Sequence, residues 1–170
     1  MQNGHPLVVH FPIALLTVAV FAAFLAAFTA RPSVQAFARA CLYLGTAGAA
    51  AAVISGFFAS QTVAPVLRAA HELEEHRNYG YMVLILASLL SAWSVVAWRR
   101  LKRPPRPHPL FLLGHAALLF ALFMAGLEGG EMVYEHGLGT KLTAPGGPLH
   151  EPLGDGDAPG DSVPTARDFR

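Results

Sequence analysis

Charge is what this chain has least of. Only 14% of its 170 residues are Asp, Glu, Lys or Arg, where an ordinary soluble domain carries roughly a quarter. No charged side chain occurs before Arg31, and no acid before Glu72. Cysteine is nearly missing as well. Cys41 stands alone, which excludes a disulfide within the chain, a cysteine-based metal centre and a c-type haem attachment motif. No Ser-His-Asp arrangement, phosphate loop or HExxH is present, so a soluble-type enzyme is not expected, and neither is a nucleic-acid partner.

What is there is apolar: 54% of the residues are hydrophobic. Four stretches contain no Asp, Glu, Lys or Arg, namely Leu7 to Phe28, Ala40 to Leu67, Asn78 to Trp98 and His108 to Leu127. About 20 apolar residues at about 1.5 Å rise cross a hydrocarbon core of about 30 Å, so each stretch is long enough. A soluble bundle needs a polar face on every helix. Segments such as "LTVAVFAAFLAAF" and "MVLILASLLSAWSVVAW" are apolar all round. The first run lacks the basic n-region of a signal peptide and exceeds its apolar core of about 7–15 residues, so it is read as a retained helix.

The fold class expected is all-α: a polytopic membrane protein built as an up-down bundle of four transmembrane helices. The helices are placed at about 6–28, 37–62, 77–99 and 109–136, within a domain spanning 1–136. Residues 137–170, rich in Gly, Pro and Asp without apolar periodicity, read as a disordered outer tail.

Lys and Arg in short loops stay cytoplasmic. Arg31 and Arg39 lie between the first two helices, and "RRLKRPPRP" lies between the last two. Those connections are therefore expected inside, and both termini outside, in the inner membrane with periplasmic or extracellular ends. Trp93 and Trp98 then fall near the inner border, and Tyr79, Tyr81 and Tyr134 near the outer one. All eleven acids and six of the eight histidines gather at the outer end, which leaves the inner end plain, with His108 and His115.

The outer end carries the candidate chemistry. In "HPLVVHFPIALL", Pro6 suits a first helical turn, and Pro12 loosens the bond to the Val8 carbonyl. His10 lies about one turn inside the border, where an ionisable group must face the bundle and find a partner. It is read either as hydrogen-bonded to a neighbouring helix or as a ligand, and His5 as resting in the headgroup layer.

In "HELEEHRNYG" a helix would pair His71 with Glu75 and Glu72 with His76, at i, i+4. His71 and His76 point about 140° apart, so His76 is the better inward ligand. In "MAGLEGGEMVYEHGLG", Glu128, Glu131 and Glu135 share a face beside His136, with Gly126, Gly129 and Gly130 nearby. Those glycines suit close helix packing or a flat macrocycle. His115 lies about 31 Å along the fourth helix from His136 and cannot join this cluster.

"HPLVVHFPIALL", "HELEEHRNYGYMVLIL" and "LEGGEMVYEHGLG" together resemble the bacterial four-helix membrane family called domain of unknown function 2231. The resemblance covers about residues 4 to 140. Its opening His-Pro and His-Phe-Pro are matched by His5, Pro6, His10, Phe11 and Pro12. Its closing Gly-Gly, Tyr and His-Gly are matched by Gly129, Gly130, Tyr134, His136 and Gly137. Glu131 departs from the aliphatic residue common after the Gly-Gly. The resemblance implies a polytopic membrane protein with no assigned reaction, in a family some of whose members adjoin cytochrome-like partners.

Three functions fit these residues. One is a b-type haem protein passing electrons near the outer face, with axial ligands drawn from His10, His76 and His136, ring contacts from Gly129 and Gly130, and propionate contacts from Arg77 and Tyr134. Its partners would be the lipid bilayer and a cytochrome or other redox protein. The second is a transition-metal site for binding or transport, made of His10, His76 and His136 with Glu131 or Glu135. The third is a structural or assembly subunit with no cofactor.

Overall fold

A computed structural model of the protein describes residues 5–62, 70–100 and 107–134. They form four α-helices, α1 His5–Thr29, α2 Pro32–Thr62, α3 Ala70–Arg100 and α4 Pro109–Tyr134, and no strand occurs among the described residues. Each helix is long and apolar enough to cross a bilayer. The expected tail at 137–170, together with Glu135 and His136, lies outside the described residues, as do most of the second and third connections.

Two helices start earlier than their uncharged runs suggest. α2 begins at Pro32 rather than near 37, because a proline at the first helical position has no N–H to leave unpaired. α3 begins at Ala70 rather than near 77, so "HELEEHR" is helical. His71 Nε2 lies 3.4 Å from Glu75 Oε1 there, the i, i+4 pair that the spacing implies.

Only Ala30 and Arg31 separate α1 from α2. Ala30 takes the left-handed conformation (φ 52°), and its N–H donates to the Ala26 carbonyl at 3.0 Å, which closes the last turn of α1. The chain then reverses at Pro32. The two helices therefore form a tight hairpin.

α1 packs most closely on α2, and α3 on α4. The α2–α3 and α1–α4 faces join these hairpins into a four-membered ring, with α1 diagonal to α3. The inward faces follow a seven-residue register. In α1 it runs through His5, Pro12, Ala19 and Ala26 with Leu16 and Ala23 between; in α2 through Gln35, Leu42, Ala49 and Gly56 with Ala38 and Gly45. In α3 it runs through His76, Val83 and Leu90 with Ala87 and Ser94; in α4 through His115, Leu122 and Gly129 with Leu118 and Ala125. A repeat of seven on helices of about 3.6 residues per turn keeps one seam facing inward along the whole bundle.

Small residues set the spacing of that seam. A Cβ on Gly45 would fall 2.6 Å from the Leu16 side chain and 3.2 Å from its backbone nitrogen, so only glycine lets α1 and α2 approach this closely. Neutral polar bridges join α2 to α3: the Tyr43 hydroxyl donates to Ser94 Oγ at 3.1 Å, and Thr46 Oγ1 lies 3.0 Å from Ser91 Oγ. Ser60 donates to its own helix at Phe57, as a serine in an apolar helix does.

The outward faces are oily. Phe21, Phe28, Leu113 and Phe120 are all more than 60% exposed. Such a continuous apolar belt would be a liability in water and is matched by lipid tails.

Candidate functional site at the ends of the bundle

The inward seam is apolar in its middle and polar in its end layers. At one end the last seam positions are His5 of α1, Gly56 of α2, His76 of α3 and Gly129 of α4. Both imidazoles are half-buried and bedded on a glycine. A Cβ on Gly56 would meet the His5 ring at 3.0 Å, and one on Gly129 would meet the His76 ring at 3.2 Å.

The hydrogen bonds fix the protons on both rings. His76 Nδ1 lies 2.9 Å from the Ala125 carbonyl, which only accepts, so His76 donates from Nδ1. His5 Nδ1 lies 2.9 Å from Ser55 Oγ. The single Ser55 proton is already given to the Ala52 carbonyl at 3.0 Å, so Ser55 accepts from His5. In their neutral forms both imidazoles therefore carry the proton on Nδ1 and leave Nε2 as an unprotonated lone pair. Burial, and then the neighbouring His76 charge, hold the His5 pKa below its ordinary value.

The residues singled out in the sequence divide as follows. His76, Gly129 and half-buried Glu128 belong to this end of the bundle. Gly130 has open space beside it. Arg77, Glu131 and Tyr134 are exposed, and Tyr134 is 91% so. Glu135 and His136 fall outside the described residues, as does the Glu72 side chain, so the expected Glu72–His76 pair does too.

The structure differs from the sequence reading at His10 and His5. His10 is exposed. It lies about 200° around α1 from buried Pro12 and shares the outer face with Phe21, Leu25 and Phe28. His5, exactly one seam repeat before Pro12, is the histidine that turns inward.

The opposite end is less plain than its low charge suggests. Gln35 and His115 occupy the terminal seam layer and are buried, 6% and 1% exposed. His115 Nδ1 lies 2.9 Å from the Phe111 carbonyl, so it donates there and its Nε2 is also a free acceptor. Gln35 Oε1 is buried with no hydrogen-bond partner among the described residues. Both residues line a cavity of about 320 Å³ among all four helices, together with Trp93, Ser94, Trp98 and Phe111. The Arg39 guanidinium stacks over Trp98, 4.2 Å from the ring centroid.

Four helices, each long and apolar enough to span a bilayer, with an apolar exterior, define a multi-pass membrane protein. The family model described as "Predicted membrane protein (DUF2231)" matches residues 2–142, and the chain belongs to that family. No curated protein and no solved structure matches the chain. The family description names neither haem, electron transfer nor metal. Among the described residues no three His, Cys, Asp or Glu side chains are grouped closely enough to hold an ion, which gives no support to a cluster built on His10, His76 and Glu131.

Proposed function

We propose that this membrane protein binds b-type haem and passes electrons, and that His5 and His76, rather than His10, would hold the haem. The observation that carries this reading is the matched state of the two imidazoles. Each donates from Nδ1 to a fixed acceptor and keeps Nε2 as a lone pair, the arrangement of histidines that ligate metals. They stand on diagonal helices at one end of the seam.

The choice of haem over a bare ion rests on ligand number. A zinc or copper site draws three or four protein ligands, and no such group occurs among the described residues. Two imidazoles suffice for haem, whose porphyrin occupies the other positions. When bound, haem supplies one-electron chemistry. The chain's own part is to hold the rings: Ser55 and Ala125 set their orientation, and Gly56 and Gly129 let each ring lie against the neighbouring helix. Arg77 and Tyr134 are proposed to meet propionates, and Gly130 the ring edge. The basic connections support an inner-membrane placement with this end outward, toward a cytochrome-like partner.

The test is a dithionite-reduced minus oxidised absorption spectrum of the full chain, purified in detergent from haem-replete cells. A sharp α-band that is lost in His5→Ala and His76→Ala and kept in His10→Ala is expected. A colourless protein, or a band that depends on His10 and not on His5, overturns the assignment.

A further inference from the structure

The cavity at the Gln35/His115 end is untouched by the haem reading and stands on separate observations. A groove of about 470 Å³ runs along Val18, Phe21 and Phe37, with Ser33 its one polar residue, and it suits lipid tails. The Gln35/His115 cavity is different in kind. It holds a side-chain carbonyl oxygen that is buried and has no donor among the described residues, and buried polar groups in folded proteins are rarely left so.

We propose that this cavity binds a hydroquinone, an aromatic ring bearing two hydroxyl groups. Gln35 Oε1 is a buried acceptor with no donor among the described residues, and His115, whose Nδ1 donates to the Phe111 carbonyl, carries Nε2 as a second acceptor on the same wall. The walls are flat and aromatic, from Trp93, Trp98 and Phe111. No Asp or Glu lines the cavity, so a cation finds no counter-charge, while Arg39 at Trp98 offers donors to a ring oxygen. The volume of about 320 Å³ lies at the small end of the ~300–1,000 Å³ typical of ligand sites, which fits one substituted ring. The cavity also lies within the spanning segments, where an apolar ring arrives from the lipid.

A hydroquinone presents O–H donors to Gln35 Oε1 and His115 Nε2. The corresponding quinone has no donor to give them and can meet only the N–H groups of the lining, so the reduced ring is expected to bind more tightly.

The two tryptophans of the chain both line the cavity and are also partly exposed, so saturation of the emission change, and its loss in Gln35→Leu, separate binding in the cavity from contact with the outer surface. The full chain in detergent is titrated with a decyl-substituted hydroquinone, its quinone, its dimethyl ether and unsubstituted hydroquinone. Saturable quenching by the decyl hydroquinone is expected, with binding roughly tenfold or more weaker for the dimethyl ether and for Gln35→Leu, since each removes a buried hydrogen bond. Equal binding of unsubstituted hydroquinone supports the same chemistry and assigns a water-soluble source; preference for the decyl form assigns a membrane quinol. Quenching that does not saturate, or that is unchanged by methylation or by Gln35→Leu, overturns the proposal. Gln35→Leu removes an unpaired polar group, so its fold is retained; if His115→Phe fails to fold, Gln35→Leu still decides.

Discussion

Gly129 and Gly130 are neighbours on α4, yet alanine should act oppositely at the two sites. A Cβ on Gly130 meets nothing within 4 Å, whereas a Cβ on Gly129 falls 3.2 Å from His76 Cε1 and 3.3 Å from Nδ1. Replacing a helical glycine by alanine gains about 1 kcal/mol from backbone propensity. That gain is common to both variants and cancels in their difference. What remains is specific to His76. The ring must retreat by a few tenths of an ångström while tethered to the Ala125 carbonyl at 2.9 Å. Low-end overpacking of about 1 kcal/mol plus partial loss of a hydrogen bond worth about 0.5–1.5 kcal/mol leaves Gly129→Ala about 1–2 kcal/mol less stable than Gly130→Ala. At about 2–4 °C per kcal/mol for a chain of this size, their melting temperatures in detergent should differ by roughly 2–8 °C. Adding His76→Ala to both variants should erase the gap, which makes the comparison a double-mutant cycle. Equal shifts in the two single variants would refute the seating of His76 on Gly129.

The haem-free protein should lose stability as the pH falls below about 6.5, the ordinary histidine value, because the unfolded chain then binds a proton that half-buried His5 resists. Above that value the contribution is complete; chemical denaturation between pH 5 and 8 should show the slope, and His5→Gln should flatten it. Ala30→Gly should stabilise the protein by about 0.5–1 kcal/mol, since it relieves a left-handed alanine at the end of α1. A lower melting temperature for that variant would contradict the observed turn.

The four helices were legible because absence of charge over a membrane's thickness is a coarse signal that survives any error in register. Helix starts were not, because α2 begins at Pro32 and α3 at Ala70, both before the uncharged runs used to place them. Which histidine turns inward was a finer question. Depth alone favoured His10, yet on a helix that is apolar all round the polar face gives no guidance. The spacing His5, Pro12, Ala19, Ala26 held the answer, since small and kinked positions every seven residues mark the close-packed side. The same register, read through Gln35, Leu42, Ala49 and Gly56, runs into the second cavity. Counting charges hid that end, because Gln35, Ser94 and His115 are polar without being formally charged.

Ser55, which anchors His5, belongs to the same hairpin as His5, and Ala125, which anchors His76, to the same hairpin as His76. Neither tether crosses between hairpins. The gap between the two Nε2 atoms thus depends on how the α1–α2 and α3–α4 pairs are set against each other. The far cavity straddles the same join, with Gln35 and Arg39 on one side and Trp93 and His115 on the other. The Tyr43–Ser94 and Thr46–Ser91 bonds, which cross that join from α2 to α3, therefore help to hold the spacing at both ends of the bundle.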